Sequence, residues 1–255
     1  GSTRPTIVRG EDGSFFVLYQ GTSGSTFLYT DSTALTEELD LGIQIAHVAL
    51  SQDRKKIVLT ETNKNVIYVY DFETEKLSII DILLPSFAEG ETGFAPYYVD
   101  TLRFDPTSRF VVFDFAICDL SSGESCDQST YWSIGVLNVT DESLEFPFPS
   151  QSARYDIGFP AFSNKSDRYI VMDIRDNEAD TESKIQSFIG ILDREDNTIT
   201  TIANTDGTTA AEGHWGTPSF STNDSYVTLS FANDSGTAIV AAFLDNYEIT
   251  SAEEQ

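Results

Sequence analysis

HVALSQDRKKIVLT from His47, TLRFDPTSRFVVFD from Thr101, FPAFSNKSDRYIVMD from Phe159 and TPSFSTNDSYVTLS from Thr217 superimpose almost without gaps. Each is an apolar alternating run, a polar turn and a second apolar run, the pattern of two strands joined by a tight connection. A fainter copy, GEDGSFFVLY from Gly10, completes the set, with turn anchors at Gly10, Ser51, Asp105, Ser163 and Ser221. The anchors recur every roughly 40–60 residues, near the period of a four-stranded propeller blade. A β-sandwich does not demand one motif repeated along the chain, so the repeat predicts an all-β propeller of four-stranded antiparallel blades.

Working outward from the anchors, β-branched and aromatic alternation places four strands in each unit. In the second unit they are Ile45–Leu50, Lys56–Glu61, Val66–Asp71 and Leu77–Ile82; in the fourth, Ile157–Phe162, Tyr169–Ile174, Ile185–Leu192 and Thr198–Ala203. The connections Phe72-Glu73-Thr74-Glu75-Lys76 and Asp193-Arg194-Glu195-Asp196-Asn197 are short, polar and suited to hairpins. No segment carries a sustained helical period. The expected organisation is a single propeller domain over residues 1–255, with blades at approximately 3–40, 41–84, 97–148, 155–205 and 213–252.

Charge excludes two classes of partner. With 15 Lys and Arg against 41 Asp and Glu, the net charge is -26, which opposes binding to nucleic acid and to anionic lipid. A 40% apolar and 12% aromatic content is that of a folding chain and not of an acidic disordered one. No apolar run reaches the length of a membrane span, so no membrane insertion is expected. Gly1-Ser2 reads as a cloning remnant, and a native leader is expected to have been removed ahead of it.

Pro160-Ala161-Phe162-Ser163 and Pro218-Ser219-Phe220-Ser221 keep the first half of the motif Pro, any residue, aromatic, Ser-Pro-Asp-Gly. In this the chain resembles the TolB-like and WD-like propeller repeats of bacterial periplasmic proteins and of prolyl-oligopeptidase relatives. The second half of the motif is altered: only Glu11-Asp12-Gly13 keeps Asp-Gly, against Gln52-Asp53-Arg54, Pro106-Thr107-Ser108, Asn164-Lys165-Ser166 and Thr222-Asn223-Asp224. Five copies predict five blades; the resembled family usually has six, which stands as the alternative count. The resemblance implies a periplasmic or extracellular location and a role in envelope scaffolding or interaction.

Strand direction alternates within a blade, so blade entries and second-to-third loops share one end of the propeller. Six basic residues, Arg54, Lys55, Lys56, Arg109, Lys165 and Arg168, fall at the other end. The entry end receives Asp40, Asp100, Asp156 and Glu212, with Asp119, Glu124, Asp127, Asp176, Glu178, Asp180, Glu182 and Asp234 in the loops. It is expected to be strongly acidic, a surface that attracts a cation or basic partner; solubility alone is the competing explanation. The candidate ligand-binding residues are Asp100, Asp156, Glu212, His214 and Trp215. Trp215 has packing between blades as its alternative role, and His47 reads as structural.

No cofactor is expected. Calcium is the one cation these oxygens suit, with Asp173, Asp176 and Asp180 or Asp193, Glu195 and Asp196 as ligand sets, although no EF-hand or RTX spacing is present. Cys118 and Cys126 flank a polar loop and predict a local disulfide, hence an oxidising compartment. There is no Gly-x-Ser-x-Gly elbow and no phosphate-binding glycine loop. The function expected is therefore a non-catalytic module that binds a protein or carbohydrate, as a monomeric domain of a larger chain. Two alternatives stay open: a five-bladed glycosidase using Asp100, Asp156 and Glu212 at the channel mouth, and a purely structural spacer.

Overall fold

The computed structural model describes residues 6–9, 15–20, 26–30, 36–61, 64–83, 94–119, 126, 130–148, 155–176, 186–204, 214–233 and 236–244. They form five antiparallel sheets, each built from strands consecutive in the chain. Blade 1 is β1 (Thr6–Arg9), β2 (Phe15–Gln20), β3 (Thr26–Thr30) and β4 (Thr36–Asp40). Blade 2 is β5 (Ile45–Leu50), β6 (Lys56–Glu61), β7 (Val66–Asp71) and β8 (Lys76–Asp81). Blade 3 is β9 (Phe94–Phe104), β10 (Phe110–Asp119), β11 (Thr130–Asn138) and β12 (Leu144–Glu145). Blade 4 is β13 (Tyr155–Phe162), β14 (Tyr169–Asp176), β15 (Gln186–Asp193) and β16 (Thr198–Asn204). Blade 5 shows β17 (His214–Phe220), β18 (Tyr226–Asn233) and β19 (Gly236–Phe243); the remainder of the span expected for it, 245–252, lies outside the described residues.

Apolar clusters fill the seams between successive blades. Leu18 packs with Ile57 and Leu59, Val58 with Val111 and Phe113, Val112 with Ile170 and Met172, and Val171 with Val227 and Leu229. The second strands therefore bury both faces, which is why VVFDFAI and YIVMDI read as near-continuous apolar runs. Blade 5 departs from this. Thr228 stands where the earlier blades have Val58, Val112 and Val171, and on its side of the sheet Ile239 and Phe243 are 75% and 62% exposed.

Four of the repeat anchors, Ser51, Asp105, Ser163 and Ser221, are buried side chains that close the first-to-second turns, and Gly10 lies outside the described residues. Ser51 Oγ accepts the Lys56 N–H at 2.9 Å, Ser163 Oγ that of Ser166 at 3.0 Å and Ser221 Oγ that of Tyr226 at 3.2 Å. Asp105 Oδ1 accepts from the N–H groups of Arg109 and Phe110 at 2.8 and 2.7 Å. Arg54, Ser108 and Asp224 have φ of 63°, 62° and 55°. They stand where the resembled motif has its glycine, so the left-handed geometry persists without the residue that adopts it freely, at a cost of about 1–2 kcal/mol each.

These turns also tie neighbouring blades. The Asp53 N–H donates to Ser108 Oγ at 3.0 Å. Asp224 accepts from Ser163 Oγ at 2.5 Å and from the N–H groups of Asn164 and Lys165 at 3.0 and 3.1 Å, joining blade 5 to blade 4. Cys118 at the end of β10 is disulfide-bonded to Cys126.

Two outcomes are expected. Asp224→Ala removes the acceptor of three bonds and should lower stability in urea by about 2–3 kcal/mol. Reduction of the disulfide should lower it by roughly 2.5 kcal/mol on loop-closure grounds, with no effect of reductant on a Cys118→Ala/Cys126→Ala variant.

Candidate functional site

The first strands of successive blades approach one another, β5 to β9, β9 to β13 and β13 to β17, and so form the inner layer. Each is interrupted at the same level. Pairing with the second strand slips between Ile45 and His47, between Val99 and Leu102, between Gly158 and Ala161, and between Gly216 and Ser219. Phe159 and Thr217, within two of these bulges, have φ of 49° and 45°. Opposite the bulges stand the last residues of the four repeat segments: Thr60, Asp114, Asp173 and Ser230. A bulge re-aims backbone groups away from the ladder, and here it frees N–H groups for side chains arriving from the second strand.

Asp114 uses that freedom fully. Its Oδ1 accepts the Thr101 N–H of its own blade at 2.6 Å, and its Oδ2 accepts the Phe159 N–H of blade 4 at 2.9 Å. The residue is only 2% exposed. Asp173 lies beside Gly158 and Gly216: its Oδ1 is 3.3 Å from the position a Cβ on Gly158 would take, its Oδ2 4.0 Å from that on Gly216. Asp173 Oδ1 is buried with no hydrogen-bond partner. Burial pushes the Asp114 carboxyl up to about 6, against the pull of the Thr101 and Phe159 N–H groups and with added repulsion from Asp100. Burial, then repulsion from Asp114 and more weakly from Asp156, pushes Asp173 up to about 7.

Two expected ligand residues join these carboxylates. Asp100 occupies in blade 3 the position of Gly158 and Gly216, and its Oδ1 lies 3.0 Å from His47 Nε2 of blade 2. Asp156, two residues before Gly158, accepts the Trp132 N–H of blade 3 at 2.9 Å. His47, read as structural, is thus the basic partner of a candidate site residue. Trp215 is half-buried in the seam between blades 4 and 5, with its ring 4.7 Å from that of Phe231 and its backbone N–H donating to Ser187 Oγ at 3.1 Å. His214 opens β17 opposite Ala232. Glu212 lies outside the described residues.

The calcium sets named from sequence do not converge. Asp173 and Asp176 are three apart on β14 and so point to opposite faces, and Asp180 lies outside the described residues. Asp193 and Glu195 pair with Arg168, and Asp196 accepts the Thr198 N–H at 2.9 Å within its turn. Among the described residues, no three His, Cys, Asp or Glu side chains are grouped to hold a metal ion. Sequence reasoning passed over Asp114 and weighed Asp173 only as a calcium ligand beside Asp176 and Asp180. Their signal was a carboxylate at one repeat position inside two apolar runs.

No protein-family model and no curated protein matches the chain. Its fold is nonetheless that of known propellers. The β-propeller domain of Myceliophteria thermophila Cps50 (Swd1) superimposes with a TM-score of 0.50 at 11% identity, covering 93% of this chain and 69% of that one. Porphyromonas gingivalis dipeptidyl peptidase 4 gives a TM-score of 0.55 at 9% identity over 92% of this chain, which spans only 37% of that enzyme's chain. The chain is a β-propeller, and these likenesses extend to its fold alone.

The raised carboxyls set a direction for pH dependence. Unfolded, Asp114 and Asp173 titrate near 4; folded, they hold their protons to about 6 and about 7. Their contribution to stability is full below about pH 4 and is lost as pH rises through about 6–7. The urea midpoint of metal-free protein should therefore fall between about pH 5 and about pH 8, and Asp173→Asn should flatten that fall. An unchanged slope in the variant would remove Asp173 as its source.

Proposed function

We propose that this propeller is a non-catalytic binding module of the bacterial envelope or extracellular space, taking a positively charged group of a protein or carbohydrate ligand at its blade-entry end. The observation that carries the reading is the gathering of Asp100, Asp114, Asp156 and Asp173 from two adjacent blades around one level of the inner strands. The opposite end differs in character, because its cations are spent locally: Lys55 lies 2.7 Å from Glu73, Arg168 2.6 Å from Asp193 and Arg194 2.8 Å from Glu145. The entry-end carboxylates supply the negative potential that a ligand approaching along the axis would meet, whereas at the other end part of the acidic charge is paired. The disulfide fits an oxidising compartment. Asp156 and Glu212 are the proposed first contacts of the ligand.

The test is binding of a lysine-rich peptide and of an oligosaccharide panel by calorimetry. Peptide affinity should fall as salt rises from about 0.05 to about 0.3 M. Asp156→Asn, whose amide oxygen can still accept the Trp132 N–H, should weaken it by about threefold to fivefold. Equal affinity in wild type and variant would overturn the reading. Release of reducing sugar that disappears in Asp156→Asn or Glu212→Gln would replace it with the glycosidase.

A further inference from the structure

His47, Thr101, Phe159 and Thr217 open the four repeat segments, so they stand at one level of the inner layer. Contacts across the seams join them into a band. His47 Nε2 lies 3.0 Å from Asp100 Oδ1, and the Asp114 carboxylate accepts the N–H groups of both Thr101 and Phe159 at 2.6 and 2.9 Å. Asp173 likewise lies against Gly158 and Gly216, the residues before Phe159 and Thr217. Within this band Phe159 is out of place: it is 43% exposed in the middle of β13. Strand β14 pairs along one edge of β13, and β9 and β17 pack against it from blades 3 and 5, so the ring meets solvent on the side of the axis. A regular strand would turn this side chain into a seam; the bulge and a φ of 49° re-aim it. The blade itself does not need a ring here, because Thr217, also exposed, occupies the same bulge in blade 5 with a φ of 45°.

We propose that this band is a carbohydrate-binding site on the axial wall, with Phe159 as the platform for one face of a pyranose ring and Asp100, His47 and Thr217 as partners of its hydroxyl groups. The inference rests on the reading of the propeller as a binding module and names the class of its ligand. A pyranose presents a face of C–H groups rimmed by hydroxyls, and ligand sites combine aromatic surface with a few oriented polar groups in the same way. The polar groups here are open to water. The side chains of His47 and Asp100 are 42% and 37% exposed, and beyond their mutual contact neither makes another hydrogen bond among the described residues.

Other ligand classes fit this wall less well. A purely apolar ligand on Phe159 would strip water from Asp100 and Thr217 and return no hydrogen bond. A lysine side chain satisfies Asp100 but brings neither a ring face nor hydroxyls to the rest of the band. A hexose brings both, and with an amine in place of one hydroxyl it also sets a positive charge beside Asp100. Phe159 lies three residues along β13 from Asp156, away from the entry, so the band is deeper in the propeller than the first contact proposed there.

The experiment is calorimetric titration of the full chain with a glucosamine trimer, a glucose trimer and a lysine-rich peptide, in wild type, Phe159→Leu and Asp156→Asn. The glucosamine trimer should bind more tightly than the glucose trimer. Both should lose about threefold to tenfold in Phe159→Leu, which keeps apolar bulk and removes the ring. A cooperative urea transition checks that the variant is folded. Peptide binding without sugar binding would overturn this site and leave the entry-end reading standing. Sugar binding of equal strength in wild type and Phe159→Leu would overturn the site as well. Sugar binding that needs Phe159 and ignores Asp156→Asn, in a protein that takes no peptide, would uphold the site and overturn the entry-end reading; binding of neither ligand would overturn both.

Discussion

Sheets stacked face to face leave the second strands of blades 2, 3 and 4 apolar neighbours on both sides, and the rest of this structure follows from that constraint. The strand must be apolar at consecutive positions, so Ile57, Val58 and Leu59, or Ile170, Val171 and Met172, serve two seams at once. A polar residue admitted to such a strand must find partners within the protein. Asp114 finds two, because the inner strand bulges and turns backbone N–H groups toward it. Asp173 sits at the same level, but its Oδ1 remains unpartnered. The belt of Thr60, Asp114, Asp173 and Ser230 is therefore where the packing rule is broken, and broken local rules are where function is to be sought.

The two ends of the propeller answer different demands. At the turn end, short connections carry charges close enough in sequence and space to neutralise one another, and the buried anchors Ser51, Asp105, Ser163 and Ser221 hold each hairpin while Asp53 and Asp224 link it to its neighbour. That end is mechanical. At the other end the carboxylates of Asp100, Asp114, Asp156 and Asp173 come together across the seam of blades 3 and 4, with repulsion among them. Rigid turns at one end thus support an electrostatically frustrated arrangement nearer the other.

Much of the fold was legible because its information is local. The strands β5, β6 and β7 coincide with Ile45–Leu50, Lys56–Glu61 and Val66–Asp71 as read from alternation, and those of blade 4 differ only at their ends. Turn chemistry was legible only in part. Arg54, Ser108 and Asp224 do not advertise a left-handed conformation, yet they adopt it because the surrounding hairpin and inter-blade bonds impose it. The site was legible less well: Asp100 and Asp156 were read as blade-entry residues, yet Asp100 lies well inside β9 (Phe94–Phe104), and Trp215 is engaged with Phe231 in a seam. Asp114 and Asp173 were hidden inside apolar runs, although they end the very segments that reveal the repeat.

By itself the amino-acid sequence determined the period, the strand order within each blade, the pairing of Cys118 with Cys126 and the excess of negative charge, since each is a matter of spacing or composition along the chain. Tertiary structure alone decided which carboxylates meet. Asp114 and Asp173 are 59 positions apart, and only the packing of blade 3 on blade 4 brings oxygens of both against the backbone of Gly158. Pairing across a seam depends on the bulge, the stagger of neighbouring sheets and one missing Cβ. None of these is encoded by periodicity, because each arises from contacts between segments that do not adjoin in the chain.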